Sequence, residues 1–203
     1  ILAIIIAGGA IATEISTGTI KFWALTPNKR WKILTAKILS LLFYIIVITL
    51  VIALLTIAFA NIFFETSGNE YLYVKDGNVM IISNVTFIIF YYFAKIIPVV
   101  VFAIFALMLS VVVRNSSVAL SLSIATYMGN GIVMGVLNSY IKKDWVRFIP
   151  FNNLNIAEKI FPNFSGLDIV GTAKNFATST SLGFSFVVLG VCVILMLITA
   201  YDS

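Results

Sequence analysis

The side chains able to do chemistry are few, and their types exclude more than they offer. The chain of 203 residues has no histidine and a single cysteine, Cys192, set in an apolar run. That removes His-based triads, imidazole proton relays and most zinc and haem ligand sets. One cysteine cannot build a disulfide framework within the chain, and in an apolar run it reads as a small apolar side chain. The long apolar runs contain no Asp or Glu. A proton- or sodium-coupled transporter usually holds such a group at mid-depth, so this class is disfavoured. Lys95 is the ionisable group well inside a run. It reads as a lysine near a span end that snorkels to the interface, the alternative being a pathway-facing charge or a contact to an anionic headgroup. No phosphate-cradling Gly-x-x-x-x-Gly-Lys-Ser/Thr occurs, so ATP hydrolysis by that route would need another chain. Gly129, Gly131 and Gly135 have the wrong spacing for a dinucleotide fingerprint and lie in an apolar run. The glycosylation-like triplets beginning at Asn84, Asn115 and Asn163 match a pattern that is common by chance.

The charge that remains gathers in one stretch, residues 14–37. Lys21, Lys29, Arg30, Lys32 and Lys37 stand there against one carboxylate, Glu14. Ser16, Thr17 and Thr19 are candidate N-caps for a short helix running to about Leu25. Thr26 followed by Pro27 reads as a second N-cap with proline at the first helical position. The chain would leave one apolar run, make a short surface helix, turn, and start a long helix. Glu14 and Arg30 could pair across this elbow and fix the angle between surface helix and span. The plainer reading is two solvated charges, whose pairing is worth about 0–1 kcal/mol.

Glu14, then Gly18-Thr19-Ile20-Lys21, then Pro27, Arg30 and Lys37 resemble the elbow pattern of ABC-2 type permeases. These are the membrane subunits of ATP-binding-cassette exporters, including bacitracin-resistance and lantibiotic-immunity permeases. The resemblance in hydropathy covers nearly the whole chain. Asn28-Lys29 stands where the family usually has a small or aliphatic pair, and Trp23-Ala24 where leucines are common. The resemblance implies an all-α polytopic membrane bundle of the ABC-2 (type V exporter) kind. It also implies a coupling role for Glu14, Gly18, Lys21, Phe22, Trp23, Pro27 and Arg30 against a separate ATPase subunit.

Composition fits a membrane chain: 61% of residues are hydrophobic and 10% charged, where a soluble domain carries roughly a quarter. The net charge of +5 clusters beside a span rather than forming a nucleic-acid footprint, and positive charge there normally marks the cytoplasmic side. Residues 1–13 are too short to cross a bilayer, which takes about 20 residues. They read as the cytoplasmic end of a truncated span. Complete spans are expected near 38–62, 87–113, 118–137 and 181–200, all in one transmembrane domain. Pro98 lies inside the second and should kink it. In the third, Gly131-x-x-x-Gly135 could let another helix approach closely.

Two loops should lie on the outer side. Residues 63–83 carry Glu65, Glu70 and Asp76 against Lys75. Their turn signals at Ser67-Gly68-Asn69 and Asp76-Gly77-Asn78 allow a small hairpin. Residues 138–181 mix lysines with Tyr140, Trp145, Phe148, Phe151, Phe161 and Phe164, and Pro150 and Pro162 cut them into pieces. One or two short helices lying in or dipping into the interface are expected. By count the basic residues nearly tie between the two sides, and the dense elbow weighs more than charges spread along a long loop.

The function expected is an exporter permease in a bacterial cell membrane. It would form the path for an amphipathic cargo, such as an antimicrobial peptide or lipid-like compound. Its partners would be an ABC ATPase subunit that binds the ATP, a second permease subunit and the lipid bilayer. No cofactor, metal, catalytic residue or nucleic-acid partner is expected of the chain itself. The alternative is a membrane scaffold or sensor subunit that transports nothing. A membrane-embedded enzyme is disfavoured by the missing histidines and intramembrane carboxylates.

Overall fold

The structure, a computed structural model, describes residues 1–18, 30–63, 70–75, 78–113, 115–140, 144–160 and 181–202. The apolar start of the chain forms α1 (Leu2–Gly9) and α2 (Ala12–Ser16), interrupted at Ala10–Ile11. α2 ends at Gly18, whose φ of 73° suits a residue without a Cβ. The hydroxyls of Ser16 and Thr17 donate back to the Thr13 carbonyl at 2.9 and 2.7 Å. They therefore close the helix that precedes them. The helix that Ser16, Thr17 and Thr19 were expected to cap, running to about Leu25, lies outside the described residues.

α3 (Arg30–Phe63) is 34 residues long and has no Pro or Gly. At 1.5 Å per residue it extends about 51 Å, well beyond the roughly 30 Å of a hydrocarbon core. Its polar side chains turn back onto their own backbone: Thr49 donates to Ile45 O at 2.7 Å and Asn61 to Ile57 O at 3.0 Å. Such pairing lets hydroxyl and amide groups sit in apolar surroundings. β1 (Glu70–Lys75) and β2 (Asn78–Ser83) pair antiparallel, from Glu70 opposite Ser83 to Lys75 opposite Asn78. That register leaves two residues, Asp76-Gly77, to connect the strands, a strong hairpin signal.

α4 (Asn84–Val113) carries Pro98 without ending there. Asn115 caps α5 (Ser116–Tyr140): its Oδ1 accepts the Ser117 and Val118 amides at 3.1 and 3.3 Å. Two 3-10 turns, Asp144–Phe148 and Pro150–Asn153, and the short α6 (Ile156–Ile160) make a cap. α7 (Leu182–Asp202) follows, with the Ser181 hydroxyl accepting the Phe184 amide at 3.3 Å. Among the described residues four helices, α3, α4, α5 and α7, are long and apolar enough to cross a membrane.

α4 is the hub, touching α1, α3, α5 and α7. Val101, Phe102, Ala103, Ala106 and Leu107 of α4 are buried with Ala3, Ile4 and Ala7 of α1, Leu41 and Ile45 of α3, and Leu189 of α7. The cap enters this bundle rather than lying over it. The Phe151 ring stacks on Phe102 at 5.5 Å and meets Phe105 edge-on at 6.0 Å, while Tyr127 of α5 meets Phe102 from another side at 5.1 Å. Val146, Leu154, Ile156 and Ala157 are buried around it. Lys95 lies toward the hairpin end of α4, its ammonium 5.3 Å from the Tyr91 ring centroid.

Candidate functional site

The candidate site is the joint between α1 and α2, where the elbow meets the bundle. A broken helix turn frees amides and carbonyls that water cannot reach in an apolar setting. Here side chains from three helices take them up. Ser110 of α4, fully buried, accepts the amides of Ile11 and Ala12 through its hydroxyl oxygen, at 3.2 and 2.8 Å. Thr13 donates to the Gly9 carbonyl. The Lys37 ammonium of α3 donates to the Ala10 carbonyl and pairs with the Glu14 carboxylate at 2.8 Å. The two charged side chains are mostly enclosed, 20% and 33% exposed, so this pair is shielded more than a surface one.

The expected partner of Glu14 was Arg30. A pairing is observed with Lys37, about two turns further along α3; the Arg30 side chain lies outside the described residues. Lys21, Phe22, Trp23 and Pro27 lie outside them too. Gly18 ends α2 as described. At the start of α3, Trp31 and Lys32 face outward, with the Lys32 ammonium 5.9 Å from the Trp31 ring centroid.

Among the described residues, a close helix approach is seen at Gly8 of α1. A Cβ at Gly131 would meet nothing within 4 Å, so no described helix of this chain packs there; Gly135 is buried. The tight contact is at Gly8 of α1, where a Cβ would stand 3.2 Å from Leu120 Cδ2 and 3.6 Å from Ser123 Oγ of α5. Ala3-x-x-x-Ala7 and Gly8-x-x-x-Ala12 are small residues at helical spacing, the signal that could have found it. Ser110 had no such signal: a lone serine in an apolar run is ordinary.

A second polar cluster holds the cap. The Lys159 ammonium donates to Ser185 Oγ at 2.6 Å, and that hydroxyl donates to Asn153 Oδ1 at 3.0 Å. The Asn153 amide donates to the Arg147 and Ile149 carbonyls at 2.8 and 3.1 Å. Burial pushes the Lys159 pKa below its ordinary value. Serine beside lysine is a nucleophile–base pairing in some hydrolases, but Ser185 and Asn153 are fully enclosed, which bars a substrate from the hydroxyl. The cluster is a clasp between the cap and α7. Among the described residues, no group of three His, Cys, Asp or Glu side chains could hold a metal.

The family described as "Protein of unknown function (DUF2705)" matches residues 1–202. Two Bacillus subtilis (strain 168) proteins are similar to the chain. "Uncharacterized protein YhcI" is 28% identical over 205 residues, covering 99% of this chain and 61% of that protein. "Uncharacterized membrane protein YdbK" is 24% identical over 157 residues, covering 77% of this chain and 60% of that protein. The chain thus spans about three-fifths of the length of these relatives. No solved structure matches.

Proposed function

The chain belongs to the DUF2705 family; on the elbow pattern and the joint described above, we propose that it is the permease subunit of an ATP-binding-cassette exporter of the ABC-2 type. In this reading the elbow and the α7 C-terminus face the cytoplasm of a bacterial cell, and the hairpin and cap face outward. A separate ATPase subunit docks against residues 16–31, and a second permease subunit, alike or different, completes the path for an amphipathic cargo.

The observation that carries the reading is the joint. The chain has no nucleotide motif, so ATP-driven work would have to enter through a protein contact. Both flanks of the basic elbow are tied into the bundle: α2 through Ser110 to α4, and α3 through Lys37 to Glu14 and Ala10. A push on the elbow would reach α3 and α4 together. Ile20, Phe22, Trp23 and Leu25 supply apolar contact, and Lys21 and Arg30 set register at its rim.

Cysteine crosslinking from residues 20–25 to an ATPase subunit purified with the chain tests this. At least one position should crosslink, and Trp23→Ala or Phe22→Ala should leave ATP turnover while abolishing most export. If no position crosslinks and both variants export normally, the chain is not coupled here, and the scaffold or sensor reading replaces this one.

A further inference from the structure

We infer that the gap between α1 and α2 is a two-state joint, held open by Ser110 of α4 and able to close into one continuous helix when Ser110 withdraws. Nothing in the local sequence forces the gap. Residues 2–16 contain no proline. Gly8 and Gly9 loosen the helix, but neither takes a left-handed backbone; Gly18 is the glycine among the described residues with positive φ. Ala10, within the gap, keeps helical dihedrals, φ −56° and ψ −33°.

What opens the gap is competition for two amides. In an uninterrupted helix, the Ile11 and Ala12 amides would donate to the carbonyls of Ala7 and Gly8, four residues back. Here both donate to the Ser110 hydroxyl, which has two lone pairs to accept them. The Ala7 carbonyl is taken by the Ala10 amide instead, at 3.2 Å, tightening the last turn of α1. Lys37 holds the gap from the other side, on the Ala10 carbonyl.

In either state the two amides have partners, so neither state leaves a buried donor unmet. The balance is set from outside the segment, by where α4 and α3 stand. Ser110 and Lys37 are therefore positioning residues. A small retreat of α4 removes the acceptor, the ladder closes, and α2 is carried to a new place as the rigid continuation of α1. The reverse holds by linkage: whatever displaces α2 must move Ser110 and so α4. That use of the joint as a coupler rests on the proposed function; the joint itself does not.

The test is a spin-label distance in the purified full chain in lipid nanodiscs, with labels at Ser16 and Ser121, both exposed. Ser110→Ala should shift the distance distribution away from wild type, and Ser110→Thr, which keeps the acceptor, should not. Ser110→Cys, nearly the same size and a much weaker acceptor, should shift it the same way and serves if Ser110→Ala does not fold. Wild-type distances in Ser110→Ala, or in Ser110→Cys where that must serve, overturn the joint. Shifted distances with unchanged ATP turnover and export leave the joint standing and overturn the coupling reading.

Discussion

α1 and α3 are both strongly apolar helices, and the fold uses them in opposite ways. α1 has 8 residues, and half of them are buried among α4 and α5. α3 has 34 residues and lies at the edge, with Leu39 71% and Phe43 69% exposed. In water a helix showing this much Leu and Phe would be driven inside as well. In lipid, acyl chains solvate Leu and Phe as well as a protein interior does, and apolarity stops deciding. Close packing decides instead. Ala3, Ala7, Gly8 and Ala12 let α1 approach α4 and α5, whose facing positions include Ala103, Ala106, Ser110, Ala119 and Ser123, all buried. α3 offers bulky side chains on most faces and meets the bundle along Leu34, Leu41 and Ile45.

The sharpest way to break this contrast is to make the two helices equally bulky. Gly8→Leu forces a branched side chain against Leu120 and Ser123. It should lower stability by about 1–3 kcal/mol, the usual effect of overpacking. Phe43→Ala on α3 should stay within about 0.5 kcal/mol of wild type. Denaturation in detergent measures both, and equal losses would remove the distinction.

That prediction also shows what was legible in the sequence. The four long helices were, because apolar runs with Lys95 as their single interior charge, bounded by Asn115 and Ser181, leave little choice. The hairpin was, from its turn residues. Which helix would be central was not, since hydropathy ranks α3 with α4 and only the small-residue spacing of Ala3, Ala7, Gly8 and Ala12 separates α1. The charges of the elbow were plain, but the pairing of Glu14 with Lys37 depends on how α2 and α3 meet in space. Ser110 was invisible because its role lies in two amides about a hundred residues away.

Gly131 sharpens the comparison from the other side. Among the described residues nothing stands within 4 Å of a Cβ there, so Gly131→Leu should leave the stability of the isolated chain within about 0.5 kcal/mol of wild type. Size-exclusion chromatography then reads whether assembly changes. A lost oligomer with a stable chain would place a second subunit on that face of α5; an unstable chain would contradict the packing described.

The smallest effect concerns the cap. Burial lowers the Lys159 pKa from its ordinary value of 10.5. Below its folded-state value the ammonium bears the full desolvation penalty. As pH climbs through that value toward 10.5, the folded chain releases a proton that the unfolded chain keeps, so this residue's contribution to stability rises. Thermal melts over that alkaline range should show a component of rising stability that Lys159→Met lacks. Identical slopes in the two proteins would mean the clasp does not sense this proton.

The clasp also orders events in time. Asn153 and Lys159 emerge from the ribosome before Ser185, the side chain that joins them. Until α7 has been synthesised, the cap has no fastening on that side, and the enclosed amide of Asn153 lacks its Ser185 donor. The helix made after the cap is thus the one that closes it into place. A chain halted before Ser181 would keep α1 to α5 and leave the cap's seat beside α4 without its far wall.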